Sequence, residues 1–206
     1  MLHYETVDVP TLELLKRLLT IDFFKNVRLV RGTSLALQIG HRKSIDLDLF
    51  GLFEPDIVTI SALLRDVGDV TLLKKTPNIF IHLIDNVKVD FVNYSYPWIE
   101  KALLKDDLRL AGDKDIGAMK LSAITGRGSK KDFIDLYFLL KKYSLGELLA
   151  FYHQKYHDGS IFLVLRSLVY FDDADRQEMP DMKIVVEWAD IKENITERHR
   201  EYMDSL

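Results

Sequence analysis

The chain has 206 residues, 48% apolar and 29% charged, which suits one soluble globular domain or one with a helical extension. A net charge of −4 gives no global basic field for nucleic acid, so a polyanion would need a local patch. With no cysteine there are no disulfides, zinc thiolates or cysteine nucleophiles, and the chain fits a reducing compartment.

MLHYETVDVP carries no basic stretch followed by an apolar one, so no signal peptide is expected. IFLVLRSLVYF, the longest apolar run, is interrupted by Arg166 and too short to span a bilayer. The expected location is cytoplasmic, with no membrane partner. Leu12, Leu15, Leu18 and Leu19 repeat at helical spacing within residues 11–24. NVRLV (26–30) reads as a short strand, and Thr33 to Ile39 as a short helix. Ile45 to Phe50 alternates apolar and acidic residues as a strand does, with Ile45, Leu47 and Leu49 expected in the core. Pro55 to Val67 reads as a helix with proline near its start. Strands follow at 69–75, 78–84 and 87–92, the last two joined by a tight turn at Asp85-Asn86. Helices are predicted over 113–125, 131–143, 145–157, 161–170 and about 187–205. A mixed β/α half, residues 1–95, thus precedes a helical half, 96–206, and the motifs fall in both halves, which suggests a cleft between them.

Strand geometry sends Asp46 and Asp48 to the same side, about 6.6 Å apart. Like charges so placed repel, and either solvent or a divalent cation relieves them. Gly32-Thr33 sits where a strand opens a helix, a place for a phosphate or simply a capped turn. His41, Arg42, Lys43 and Ser44 supply donors just before the acids, or form a solvated basic loop. In VKVDFV (87–92), Asp90 shares a face with Lys88 and Val92. If that strand lies beside 45–50, three carboxylates converge; otherwise Asp90 is an exposed acid on an edge strand.

Gly-Thr, then S-x-D-x-D, then a lone Asp on a later strand resembles the nucleotidyltransferase superfamily, which includes DNA polymerase beta and kanamycin nucleotidyltransferase. RGTSLALQIGHRKSIDLDLF (31–50) is similar to the AbiEii/AbiGii toxin group, the nucleotidyltransferase half of type IV toxin–antitoxin systems. That group reads GGT-x-L-x-L-x-x-GHR-x-S-x-DLDLF in this place, so Arg31 stands where it usually has glycine. DIGAMKLSAITGRGSKKDFIDLYFLL (115–140) also resembles a block of the group, as do YFDDAD (170–175) and the final Trp-containing helix. The resemblance covers about residues 10–200.

It implies an α+β nucleotidyltransferase (polymerase beta-like) fold, a mixed sheet flanked by helices with a C-terminal helical region. It also implies two Mg²⁺ ions on Asp46, Asp48 and Asp90, with an NTP as substrate. Gly32, Thr33 and Ser44 would hold phosphates, helped by Lys120, with Arg127, Lys131, Asp132 and Asp135 beside the site. Transfer of an NMP to a tRNA and a winged-helix antitoxin encoded nearby would follow; a small-molecule or protein hydroxyl is the alternative acceptor. By periodicity alone Lys120 either snorkels out of an apolar stripe or reaches an anion. Lys131, Asp132 and Asp135 read equally as salt bridging, with Lys131 spaced to pair with Asp135. Asp115 reads as a helix-start acid.

Other motifs are weaker. His153 and His157 lack the glutamate of a zinc-protease helix, and Gly128-Ser129-Lys130 lacks the upstream glycine of a P-loop. Asp172, Asp173 and Asp175 lack calcium-loop spacing. Two rival classes remain. A glycosyltransferase also uses D-x-D, but needs neither the Gly-Thr turn nor a third Asp, and a non-catalytic binding module would not need all three acids.

Overall fold

The computed structural model describes all residues, 1–206, as two compact units. The first comprises 1–96 and 101–111, the second 97–100 and 112–206. The mixed β/α half expected to end at 95 thus takes in a further short segment.

In the first unit, α1 (Val9–Thr20) starts where the Asp8 carboxylate accepts the Thr11 N–H, with Pro10 in the first turn. Leu14, Leu15, Leu18 and Leu19 form its buried stripe. The strand β1 (Arg28–Leu29) feeds α2 (Arg31–Ile39), which Gly40 ends in the left-handed region at φ +70°. Next come β2 (Leu47–Gly51) and α3 (Ile57–Leu64), the latter capped by Asp56. Then β3 (Val70–Lys75), β4 (Ile79–Ile84) and β5 (Val87–Asn93) run as antiparallel neighbours. The turn Asp85-Asn86 has φ of +47° and +66°, the positive pair that a two-residue hairpin demands. A second hairpin, β6 (Leu103–Lys105) and β7 (Leu108–Leu110), turns through Asp106-Asp107, also at positive φ.

The seven strands form one mixed sheet in the order β3-β4-β5-β2-β1-β7-β6. Its parallel pairs are β2 with β5 and β1 with β7. Parallel neighbours cannot be joined by a tight turn, and the chain reaches β5 from β2 only after α3, β3 and β4. Leu29, Leu47, Leu49, Phe80, Val89 and Phe91 are fully buried in a core shared with α1. Phe24 stacks on Phe91 at 4.6 Å. Ile45, expected in that core, is 61% exposed, because the strand begins only at Leu47. Gly51 ends β2 against the backbone of Asn26, where an added Cβ would lie 2.2 Å from a carbonyl oxygen.

His82 lies on the core side of β4, opposite Val89 and edge-on to Phe91, with neither ring nitrogen hydrogen-bonded. Burial pushes its pKa down from 6.5, so the folded protein keeps this ring neutral where the unfolded chain would protonate it. The sign follows: stability falls as pH drops below about 6.5, by at most about 1.4 kcal/mol per pH unit for this group. His82→Leu is expected to flatten that slope in urea titrations between pH 7 and 5. An unchanged slope would assign the titration to another group.

The second unit is helical: α4 (Asp113–Gly126), α5 (Lys130–Leu140), α6 (Leu145–Lys155), α7 (Ile161–Leu168), α8 (Asp172–Asp175) and α9 (Trp188–Asp204). Ser144 and Glu147 form a capping box that starts α6. Gly117 lets α4 approach Leu148 of α6, whose methyl would lie 2.7 Å from an added Cβ. Phe133, Phe171 and Trp188 make an aromatic cluster with centroids 4.9–6.1 Å apart. Asp115 does more than start a helix. Its carboxylate accepts the N–H groups of Ile99 and Glu100 and pairs with the buried Lys155 at 2.7 Å. Lys155 also donates to the Pro97 carbonyl and lies 4.4 Å from the Trp98 ring centroid, so one ion pair fastens segment 97–100 to α4 and α6. No helix is long and apolar enough to cross a membrane.

Candidate active site

Asp48 stands directly opposite Asp90 in the parallel ladder of β2 and β5. Residues in such register project from the same face, with their strands about 4.8 Å apart. The hydrophobic neighbours Leu47, Leu49, Val89 and Phe91 take the other face and fill the core. The alternation of apolar and acidic residues therefore does two things at once: it anchors both strands and presents two carboxylates side by side. Both are nearly buried, at 9% and 8% exposure.

Two acids this close need compensation, and each has a cation. The Arg31 guanidinium meets Asp48 Oδ1 at 2.9 Å, and Lys88 Nζ lies 2.7 Å from Asp90 Oδ1. The second contact is an ion pair without hydrogen-bond geometry, which leaves Asp90 Oδ1 buried and accepting no hydrogen bond. Asp46 sits one residue before β2 and is half-buried, so strand alternation does not set its side chain. Of the three carboxylates expected to converge, the ladder itself sets Asp48 and Asp90 side by side. No group of three His, Asp or Glu side chains comes together in a metal-holding arrangement.

Gly32 and Thr33 occupy the second and third positions of α2, both buried. Val30, the N-cap, offers no side-chain acceptor, so no side chain caps the N–H groups of that first turn. The Thr33 hydroxyl donates to the Asp46 carbonyl and lies 2.8 Å from the Ser44 hydroxyl, while the cap position of α2 falls to Val30. The Gly-Thr turn is thereby tied to the chain that enters β2. His41 and Arg42 are buried rather than part of a solvated basic loop, and Arg42 donates to the Lys43 carbonyl.

In the second unit, Lys120 neither snorkels to solvent nor faces an open surface. It is buried between Asp132 at 2.9 Å and Asp135 at 2.5 Å, both from α5. Arg127 and the Ser129 hydroxyl add further contacts to Asp132 at 3.1 and 2.5 Å. Burial alone would raise the Asp132 carboxyl, but Lys120, Arg127 and Ser129 outweigh it and hold it at about 2. Lys131 is exposed, so the cation meeting Asp135 is Lys120 and not the residue four positions before it. Its neighbour Lys130 is the buried one, with its amine 5.0 Å from the Trp188 ring centroid.

No protein-family model matches the chain. Over 199 residues it is 35% identical to the uncharacterised Aquifex aeolicus protein aq_aa25, across 94% of this chain and 96% of that one. The chain belongs to the aq_aa25 family. This member of the aq_aa25 family also resembles solved structures. JHP933 of Helicobacter pylori superposes with a TM-score of 0.55 at 15% identity, covering 97% of this chain and 94% of that one. A candidate nucleotidyltransferase of the same organism gives 0.55 at 16% identity, covering 97% of each chain. The nucleotidyltransferase toxin MenT4 of Mycobacterium tuberculosis gives 0.58 at 16%, covering 90% of this chain and 79% of that one. These likenesses establish the fold as a nucleotidyltransferase fold.

Proposed function

We propose that this protein is a Mg²⁺-dependent nucleotidyltransferase that moves an NMP from an NTP to an acceptor hydroxyl and releases pyrophosphate. The observation that carries the reading is the register of Asp48 against Asp90, beside the uncapped first turn of α2. Two buried carboxylates that each already draw a cation fit a hard divalent ion. Asp48 and Asp90 would hold it, joined by Asp46, which is half-buried just ahead of β2. Such an ion supplies charge neutralisation at the α-phosphate and lowers the pKa of the attacking hydroxyl.

The remaining work falls to the protein. Backbone N–H groups at Gly32 and Thr33, with the Ser44 hydroxyl, hold the β and γ phosphates at a helix start whose dipole favours an anion. Asp90, whose Oδ1 accepts no hydrogen bond, takes the acceptor's proton.

The AbiEii/AbiGii resemblance, together with a fold shared with the toxin MenT4, supports a toxin whose acceptor is tRNA and whose antitoxin is a winged-helix protein. A net charge of −4 favours the second reading, a small-molecule or protein hydroxyl as acceptor. Incubation with each labelled NTP, Mg²⁺, total RNA and a protein extract separates them. Label in the tRNA fraction is expected. Label only on protein or small molecules selects the second reading. No label in any fraction, with no pyrophosphate released, overturns the assignment.

A further inference from the structure

Arg31 is the first residue of α2 and adopts φ +57°, a left-handed backbone that an arginine occupies only at a cost. Something must repay that strain, and the side chain shows what. One guanidinium nitrogen donates to Asp48 Oδ1 at 2.9 Å, and the guanidinium carbon lies 4.7 Å from the centroid of Phe50. Asp48 and Phe50 are two residues apart on β2, hence on one face, so a single planar cation spans both. The acid it neutralises belongs to the pair that the metal-dependent reading needs.

We propose that Arg31 is a built-in counter-cation of Asp48 that competes with the divalent ion for this carboxylate. The inference rests on the proposed function above, since it presumes that Asp48 is a metal ligand. A guanidinium held at 2.9 Å on a nearly buried carboxylate does two things to an arriving cation. It occupies one of the two ligand oxygens, and it places a like charge within a few ångströms of the ion. Divalent metal therefore binds this chain more weakly than the two acids alone would allow. For the ion to take both oxygens the guanidinium must leave Asp48 Oδ1, which frees a cation beside the first turn of α2, where the phosphates of an NTP are placed. Metal and nucleotide are then coupled: each makes room for the other.

Mn²⁺ alone is the probe, titrated into the full chain and read by calorimetry or by the electron paramagnetic resonance of the free ion. Arg31→Gly removes the cation and suits φ +57° without strain, and Arg31→Asn is a second neutral residue that tolerates this region. Both variants are expected to bind Mn²⁺ at least about tenfold more tightly than wild type. Adding Asp48→Asn to either is expected to abolish that gain. Equal affinity in wild type and both variants, lost with Asp48→Asn, would overturn the role of Arg31 and leave the metal site standing. A gain that survives Asp48→Asn would overturn it too, by placing the ion elsewhere. No Mn²⁺ binding in any form would remove this inference and the metal-dependent reading together.

Discussion

Asp48→Asn is expected to lower NMP transfer by about 10³-fold or more while the protein stays folded. The substitution keeps the size and shape of the side chain, turns one of its two acceptor oxygens into a donor and removes the charge. If the carboxylate's task is to hold a divalent ion opposite Asp90, an amide cannot replace it. The structural cost is small by comparison. The Arg31–Asp48 pair is part-exposed, with the arginine side chain at 35%, so its loss costs up to about 1 kcal/mol. For a chain of this length that lowers Tm by about 2–4 °C. The same substitution at Asp90 is expected to give a loss of the same order. The double variant should be little worse than either single one, because groups that act as a unit are not additive. Labelled-NTP turnover beside a thermal melt separates the outcomes. Activity near wild type in both single variants removes the two acids from the chemistry, whereas a collapsed melt would show a structural role instead.

Much of the acid pair was legible because alternation carries its own geometry. Leu47, Leu49, Val89 and Phe91 announce a core face, and the acids between them must then share the opposite one. What alternation cannot supply is which strand lies beside which. The pairing of β2 with β5 is a choice made by the whole sheet, and the resemblance to nucleotidyltransferases suggested it. Alternation also overreached by two residues at Ile45, because nothing in Ile45-Asp46 shows where the ladder begins. The hairpin of β6 and β7 leaves little trace in the sequence for a related reason. Each strand has three residues, their Asp-Asp turn lacks glycine, and β7 finds its place beside β1 some eighty positions earlier in the chain.

Charged residues whose partners come from another element were harder to read. Arg31, Lys120 and Lys155 are each defined by a partner brought by another element, Asp48 on β2, Asp132 and Asp135 on α5, and Asp115 on α4. Helical spacing describes only neighbours on the same helix, which is why Lys131 was the natural partner for Asp135 on paper. A lysine inside an apolar stripe was nevertheless a usable signal. Such a position either escapes to solvent or meets a buried anion, and the acids of K-D-x-x-D on the next helix were the available ones.

The second large effect is expected at that lysine. Lys120→Met keeps the length and apolar stem of the side chain but leaves Asp132 and Asp135 buried with one cation fewer. Breaking a buried ion group from one side costs about 3–5 kcal/mol, a large part of the 5–15 kcal/mol that holds a domain together. The denaturation midpoint should fall accordingly, in urea at pH 7. Removing the stranded charges as well, with Asp132→Asn and Asp135→Asn, should recover most of the loss, since the penalty belongs to uncompensated carboxylates. Acid provides an independent check. In the wild type the Asp132 carboxyl, held at about 2, contributes stability that is complete above its unfolded pKa near 4 and is lost as pH falls toward 2. Without Lys120 the largest attraction holding that pKa down is gone, and burial acts to raise it. The gap between variant and wild type should therefore narrow as pH falls from 7 toward 3. A gap that is small at pH 7, or constant with pH, would mean that water reaches these carboxylates and that the lysine is not their counter-charge.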